Sequence, residues 1–215
     1  MYIPKKYAED DWDQAQALIK HYPLATVVSS DLQANHFPFH LEHRDGKDYL
    51  IAHIARANPQ RPQLESGEPV LVIFKSDDAY ITPSYYPSKK ETHKVVPTWC
   101  FGAVHIKGIP KVIDSEEFLS HALESLTNQE EHDRQVPWKV SDAPESYTKI
   151  MKKAIIGLEI EISSWEAKFK FDQDRRPADV EGVVEGLKQD DKQPMSELVQ
   201  QTYTRKVERA AKEAK

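Results

Sequence analysis

The sequence has little cysteine, little glycine and no long apolar run, and each shortage excludes a class of protein. Its 215 residues include one cysteine, Cys100, so no disulfide forms within the chain, and a reducing, intracellular compartment is expected. No run approaches the roughly 20 apolar residues that cross a membrane. The N-terminus lacks the apolar core of a secretory signal peptide. We therefore expect a cytoplasmic protein that makes no membrane contact.

Several catalytic and binding signatures are also missing. The sequence has no cysteine cluster at metal-ligand spacing, no glycine-rich phosphate loop and no nucleophile elbow. Its formal net charge is −6, which opposes a broad nucleic-acid surface because such surfaces gather lysine and arginine. A resident metal is not expected, and DNA is disfavoured as a partner unless a local basic patch forms.

The residues that are present indicate a soluble globular domain built mainly from strands. Hydrophobic residues make up 39% and charged residues 30%, within the usual range for such proteins. Short apolar runs separated by turn signals favour an antiparallel barrel or sandwich. The turn at Arg44-Asp45-Gly46-Lys47 predicts a hairpin. The predicted strands cover residues 24–28, 35–41, 49–55, 70–74, 79–82, two halves of 96–112, and 158–171.

Helices are predicted around these strands. Residues 9–22 carry one apolar face, and Asp114 with Glu117 has the spacing of a capping box. Pro144 is expected to open a helix that Gly157 ends. A further helix is expected to run from Pro177 to residue 187, before a polar linker and a last helix over 195–215 with a weak apolar face. We predict a domain at 1–187 and a linker with a helical tail at 188–215.

Two groups of side chains allow a functional and a structural interpretation. His36 and His40 point to one side of a strand, and with His53 they have the composition of a metal or haem-iron site. Histidines in such positions are more often exposed or hydrogen-bonded, which is the interpretation we favour. Arg56, at the end of a strand before Asn58-Pro59, suits a phosphate because arginine offers two parallel donors. It equally suits an arginine that only faces solvent.

Six segments, taken together and in this order, carry a resemblance to a known family. They are residues 1–4 (MYIP), 35–39 (NHFPF), 52–60 (AHIARANPQ), 79–86 (AYITPSYY), 96–105 (VPTWCFGAVH) and 170–175 (KFDQDR). From Met1 to about Leu187 the chain resembles the FMN-binding negative transcriptional regulators, also called the PaiB-type family.

This resemblance implies an α+β, mostly β fold, the antiparallel FMN-binding split barrel with peripheral helices and here a C-terminal helical extension. It implies a homodimer with non-covalent FMN at the subunit interface, and flavin-dependent oxidoreduction as one activity. Negative transcriptional regulation is one alternative function. Haem binding or haem breakdown on the same fold is another.

The resemblance also implies the site residues. In the wider superfamily a Ser-Arg-Lys pattern meets the flavin phosphate, whereas this chain has Ala55-Arg56-Ala57, so Asn58, Gln60 or Lys170 would have to compensate. The strand of His36 and Phe37 would face the ring edge, and Trp99 with Arg175 would come from the partner subunit or the dimer seam. The implied cofactor-binding set is His36, Phe37, His53, Ala55, Arg56, Asn58, Gln60, Ser84, Trp99, Lys170, Gln173 and Arg175, with no catalytic residue identified.

Overall fold

The computed structural model describes residues 1–213 and contains eight strands in one sheet. The strands are β1 (Ala8–Glu9), β2 (Leu24–Val28), β3 (Ala34–Pro38), β4 (His40–Arg44), β5 (Lys47–Ala55), β6 (Val70–Ile81), β7 (Thr98–Ile113) and β8 (Ile155–Lys170). The sheet order is β3-β2-β6-β7-β8-β5-β4, and β1 pairs with β8. Strand β2 is antiparallel to β3 and β6, and β5 is antiparallel to β4 and β8.

Seven α-helices accompany the sheet in the described residues. They are α1 (Trp12–His21), α2 (Arg61–Glu65), α3 (Ser88–Thr92), α4 (Glu116–Glu131), α5 (Glu145–Lys152), α6 (Pro177–Gln189) and α7 (Gln193–Glu213). Three single turns of 3-10 helix lie at Lys5–Tyr7, Pro83–Tyr85 and Val140–Asp142. The expected last helix is present, and residues 214 and 215 lie outside the described part.

The chain forms two compact units. The first unit takes Met1–Asp11, Lys75–Ala103 and the residues from Ala167 onward, and the second takes Trp12–Phe74 and Val104–Glu166. The long strands β6, β7 and β8 contribute residues to both units, because each is 12 or 16 residues long.

The core of the second unit follows from strand alternation. Leu50, Ala52 and Ile54 of β5 pair with Ile160, Leu158 and Ile156 of β8, and all six are buried. The opposite face of the same strands lies against α4. There a β-carbon on Gly157 would come 2.3 Å from the ring of Phe118, so only glycine lets the helix approach so closely. Gly157 was expected to end a helix; that was wrong, since it lies inside β8.

The core of the first unit is built around the last two helices. Val180, Val183 and Leu187 of α6 are buried together with Met195 and Val199 of α7. The Ser196 hydroxyl donates a hydrogen bond of 3.0 Å to the Val184 carbonyl. The weak apolar face of α7 therefore has the partner that a marginal helix needs.

Several predictions about element boundaries need correction. The predicted strands 70–74 and 79–82 are one strand, β6, which ends at Ile81. The two predicted halves of 96–112 are one strand, β7, which begins at Thr98. Gly108 was taken as a joint, but a β-carbon there would lie 2.5 Å from the Glu161 carbonyl oxygen, so this glycine permits close contact with β8. Between β6 and β7 the chain forms a 3-10 turn at Pro83–Tyr85 and the short helix α3.

The predicted capping box at Asp114 was also wrong. Ser115 is the N-cap of α4, and its hydroxyl accepts a hydrogen bond of 3.3 Å from the Phe118 amide. Asp114 is directed instead toward the end of β5, where its carboxylate pairs with Arg56. Asp114 and Ser115 are neighbours, and the side chain of either could accept this hydrogen bond. Because Asp114 pairs with Arg56, Ser115 caps the helix.

Candidate functional site

The turn after β5 is held by backbone hydrogen bonds. The amide of Asn58 donates to the Ala55 carbonyl at 3.0 Å, and the amide of Arg61 donates to the Asn58 carbonyl at 3.0 Å. The Asn58 side-chain oxygen accepts from the Gln60 amide at 2.9 Å. These contacts explain the Asn-Pro pair. The asparagine closes the turn with its side chain, and Pro59 stands at a position whose backbone N–H is not used.

Gln60 joins this turn to the hairpin of β2 and β3. Its side chain is fully buried, and its amide nitrogen donates to the carbonyls of Val27 (3.1 Å) and Gln33 (2.9 Å) and to the Ser29 hydroxyl (3.0 Å). Its amide oxygen accepts from Asn35 at 3.1 Å. The structure thus brings the stretch 56–60 beside β3, which carries His36 and Phe37. Since its side-chain amide is hydrogen-bonded within the protein, Gln60 would affect a bound ligand indirectly, by holding the turn in place.

Strand β3 lies at one end of the sheet. It pairs with β2, and no strand follows it in the sheet order of the described residues, which agrees with the edge position that Pro38 predicts. Phe37 is buried and His36 is exposed. In this part of the chain the outer backbone edge of β3 therefore has no strand paired with it.

His53 lies on β5 opposite Gly157. Its Nδ1 atom is buried and has no hydrogen-bond partner among the described residues. Burial lowers the pKa of this imidazole, so the ring is neutral near pH 7. A buried polar atom without a partner costs free energy, and a donor from a ligand would recover that cost.

Arg56 is engaged by a carboxylate. Its guanidinium makes a two-pronged contact with Asp114, with Nη1 to Oδ2 at 2.8 Å. The arginine holds the pKa of Asp114 below its usual range. The backbone amide of Arg56 donates to the Ala154 carbonyl at 2.9 Å. The two guanidinium donors that were expected to meet a phosphate are therefore bound here to the Asp114 carboxylate.

Arg56 opens into a cavity of about 350 Å³ within the second unit. We call it the Arg56 cavity. Four cations line it against two carboxylates, and the first turn of α4 forms part of its wall. Its lining residues are Arg56, Ile113, Asp114, Ser115, Glu116, Leu119, Lys149, Lys152, Lys153 and Ile156. Cations and a helix N-terminus together favour an anionic ligand.

The lysines of this cavity and Asp114 were missed from the sequence. They lie between 58 and 97 residues beyond Arg56 in the chain, and only the fold brings them to it. The one local signal is Lys149 with the pair Lys152-Lys153, whose spacing places all three on one side of a helix.

The remaining predicted site residues lie in the first unit. Trp99 is 53% exposed and meets Tyr80 edge to face, with ring centroids 6.0 Å apart. The Lys170 ammonium donates to the Thr98 hydroxyl, and the exposed Ser84 hydroxyl accepts from Lys89 at 3.1 Å. These residues present one aromatic, one cationic and one hydroxyl group.

Gln173 and Arg175 serve the packing of the same unit. Gln173 is buried; its side chain accepts from the Phe171 amide at 2.8 Å and donates to the Phe169 carbonyl at 2.6 Å. The Arg175 guanidinium lies 4.8 Å from the centre of the Tyr86 ring. Their assignment to a cofactor stays a prediction, and any effect of Gln173 would be indirect.

A buried pair beside them has a consequence for stability. The Tyr86 hydroxyl donates to Asp172 at 2.5 Å, and burial raises the pKa of Asp172 above its ordinary 3.8. Between 3.8 and the raised pKa, the folded state holds more protons than the unfolded state, so stability falls as pH rises. Asp172→Asn keeps an acceptor for Tyr86 and tolerates the left-handed backbone at φ 55°.

We expect Asp172→Asn to gain stability over wild type as the pH rises from 3.8 to the raised pKa of Asp172. Urea unfolding of both proteins across this range measures the difference. A difference that stays constant with pH would mean that Asp172 does not titrate with a raised pKa.

The three histidines considered for a metal or haem are not gathered into one set of three ligands in residues 1–213. His36 is exposed, whereas His40 contacts the Gln129 side-chain oxygen at 2.9 Å through Nδ1. Within residues 1–213 no group of three His, Cys, Asp or Glu side chains has the geometry to hold a metal ion.

Comparison with known proteins finds a matching family and several relatives. Residues 1–164 match the family described as "Putative FMN-binding domain". The uncharacterized protein YKL070W of Saccharomyces cerevisiae is 39% identical over 157 residues, 62% of this chain and 92% of that protein. The protease synthase and sporulation protein PAI 2 of Bacillus subtilis is 28% identical over 214 residues, 96% of this chain and 100% of that protein.

A solved structure supports the fold. The FAD and heme binding protein from Mycobacterium smegmatis superposes with a TM-score of 0.55 at 20% identity, over 76% of this chain and 73% of that one. The likeness confirms the expected antiparallel split barrel with peripheral helices. None of the helices described is both long and apolar enough to cross a membrane.

Proposed function

The chain belongs to the family of the "Putative FMN-binding domain", and on this basis we propose that it binds FMN non-covalently, with the phosphate at Arg56 and the ring edge along β3. The expected PaiB-type relationship is confirmed by the match to that family and by the relative in Bacillus subtilis. A bound flavin would supply electron and hydride transfer. The residues of the protein would bind the flavin and orient it.

The observation that carries the proposal is the cation-rich Arg56 cavity next to the turn at 56–60. Phosphate is the anionic part of FMN, and a two-pronged arginine donor matches its oxygens. Gln60 fixes this turn beside the open edge of β3, so phosphate donors and backbone groups for the ring stand on one scaffold. His53, on the same strand as Arg56, has a buried Nδ1 without a partner among the described residues.

We also propose that two copies of the chain form the complete site. Trp99 and Tyr80 are 53% and 44% exposed, and exposed aromatics in contact are typical of interfaces. The Trp99 ring and the Lys170 ammonium of a second copy would then face the flavin. Light scattering after gel filtration should give twice the 24.7 kDa chain mass, and a mass of one chain in the flavin-loaded protein would exclude the shared site.

Three flavins distinguish the parts of the site. Fluorescence titration should show FMN binding at least about tenfold more tightly than riboflavin, because only FMN carries the phosphate. FAD extends beyond that phosphate, so its affinity measures whether the cavity is closed or open at this end. Equal affinities for FMN and riboflavin would contradict a phosphate contact.

The alternative functions receive less support. DNA binding would need a local basic patch, for which the sequence offers Lys89, Lys90, Lys94 and the tail from Arg205. In the structure Lys89 donates to Ser84, and Arg205 pairs with Glu9 at 2.8 Å. For haem, the three candidate histidines are not gathered at one metal site. Both remain predictions from sequence alone. A gel-shift assay at low salt, and the Soret region after haem addition, test them.

Asp114 gives a matched prediction about the same phosphate contact. Because its carboxylate occupies the Arg56 guanidinium, it competes with an incoming phosphate. We expect Asp114→Asn to strengthen FMN binding about two- to fivefold, the range for a solvent-exposed ion pair, and to leave riboflavin unchanged. Weaker FMN binding in this variant would show instead that Asp114 holds Arg56 in its binding position.

A further inference from the structure

The phosphate contact proposed above is incomplete on its own strand. Ala55 and Ala57 flank Arg56 and offer neither a hydroxyl nor an ammonium group. A phosphate dianion has three oxygens to satisfy, and one guanidinium, already shared with Asp114, reaches two of them. Other groups must supply the missing charge if FMN is to be held tightly.

The structure supplies three ammonium groups from elsewhere in the second unit. Lys149 and Lys152 belong to α5 and Lys153 follows it, and all three line the Arg56 cavity. Lys149 pairs with the exposed Glu145 at 2.7 Å, and Lys152 donates to the Ser120 hydroxyl at 2.8 Å. In residues 1–213 the ammonium of Lys153 has no hydrogen-bond partner.

Hydrophobic packing does not account for the position of these lysines. Helix α5 has no fully buried residue, and Tyr147, Ile150 and Met151 are at least half exposed. Like charges at this helical spacing repel, although Glu145 pairs with Lys149. The lining itself carries four cations against two carboxylates, in a chain whose net charge is −6.

The first turn of α4 adds to the positive electrostatic potential in the Arg56 cavity. Ser115 and Glu116 line the cavity at the start of this 16-residue helix, where backbone amides without carbonyl partners carry a partial positive charge. The lysines, the helix start and Arg56 therefore converge on one volume from three separate elements. A single dianion placed there would relieve the repulsion among all of them.

We propose that Lys149, Lys152 and Lys153 complete the phosphate clamp of Arg56, in place of a hydroxyl and a lysine on its own strand. This inference rests on the proposed FMN function and names the residues that its phosphate requires. Lys153 takes the leading part because its ammonium is unpaired. Lys149 and Lys152 contribute after a shift away from Glu145 and Ser120.

The test compares two triple variants of equal charge change. Lys149→Gln, Lys152→Gln and Lys153→Gln together remove the cluster, whereas Lys20→Gln, Lys107→Gln and Lys111→Gln remove three exposed lysines outside the cavity lining. Both are titrated with FMN and riboflavin at low and high salt. We expect the cluster variant to weaken FMN by at least about tenfold, with riboflavin changed less than about twofold, and the control variant to change neither by more than about threefold.

The outcomes separate the clamp from the proposed function. If wild type binds FMN and both triple variants match it, the clamp is wrong while flavin binding stands. If wild type binds no FMN, both fail. An equal loss of FMN and riboflavin in the cluster variant overturns the clamp, since the lysines would then support the fold or the ring. Inorganic phosphate should compete with FMN for wild type, and a lack of competition would also contradict the clamp.

Discussion

Arg56→Ala is expected to weaken FMN binding about 10- to 100-fold and to leave riboflavin binding almost unchanged. The substitution removes the two-pronged donor that the phosphate requires. It also leaves the Asp114 carboxylate, which Arg56 now neutralises at 2.8 Å, to repel the phosphate. Both effects have the same sign, so the loss should be near the upper end of that range.

A second substitution separates these two effects. Arg56→Ala combined with Asp114→Asn removes the repelling carboxylate, and part of the lost FMN affinity should return. Arg56→Lys should recover part of the loss as well, because a point charge cannot make the planar contact. Fluorescence titration measures each variant, with circular dichroism to confirm folding. If FMN and riboflavin lose affinity equally, Arg56 supports the ring or the fold rather than the phosphate.

Gln60→Leu is expected to lower the free energy of unfolding by about 2–5 kcal/mol, because each buried polar group left without its partner costs about 1–3 kcal/mol. The change removes the bonds that the Gln60 side chain makes to the Val27 and Gln33 carbonyls and to the Asn35 side chain, although the Gln33 carbonyl keeps the Ser29 amide as a donor. It also releases the turn at 56–60 from β3. FMN and riboflavin should therefore weaken together, unlike the result for Arg56.

The matched control is Gln63→Leu in the same short helix. Gln63 is partly exposed, and its side chain accepts one hydrogen bond, from Ser30 at 3.4 Å. This variant should unfold within about 0.5 kcal/mol of wild type, as surface changes usually do. Urea unfolding compares the two. If Gln60→Leu and Gln63→Leu had the same small effect, Gln60 would not join the turn to the hairpin as described.

The local parts of the fold were predictable from the sequence. The turn at Arg44–Lys47 is formed, with φ of 53° at Asp45 and 76° at Gly46, because these residues favour the left-handed conformation that a tight hairpin needs. Pro177 opens α6 as expected. These features depend on neighbours in the chain, and for that reason a sequence pattern records them.

The features that depend on distant contacts were not predictable. Gly108 has the pattern of a break, but it lies within β7 because the Glu161 backbone crosses it closely. Asp114 has the spacing of a cap, but Arg56 draws it away, 58 residues distant in the chain. The same applies to the site: Arg56 was identified from its strand end, whereas the lysines of α5 reach it only through the fold.

The absorption spectrum of the protein, as purified and after addition of FMN, tests most directly whether this protein holds FMN. We expect the absorption bands of bound flavin, at about one flavin per chain after loading, and a free flavin released on denaturation that chromatographs as FMN. A colourless protein whose addition leaves the spectrum and fluorescence of FMN unchanged would contradict the account.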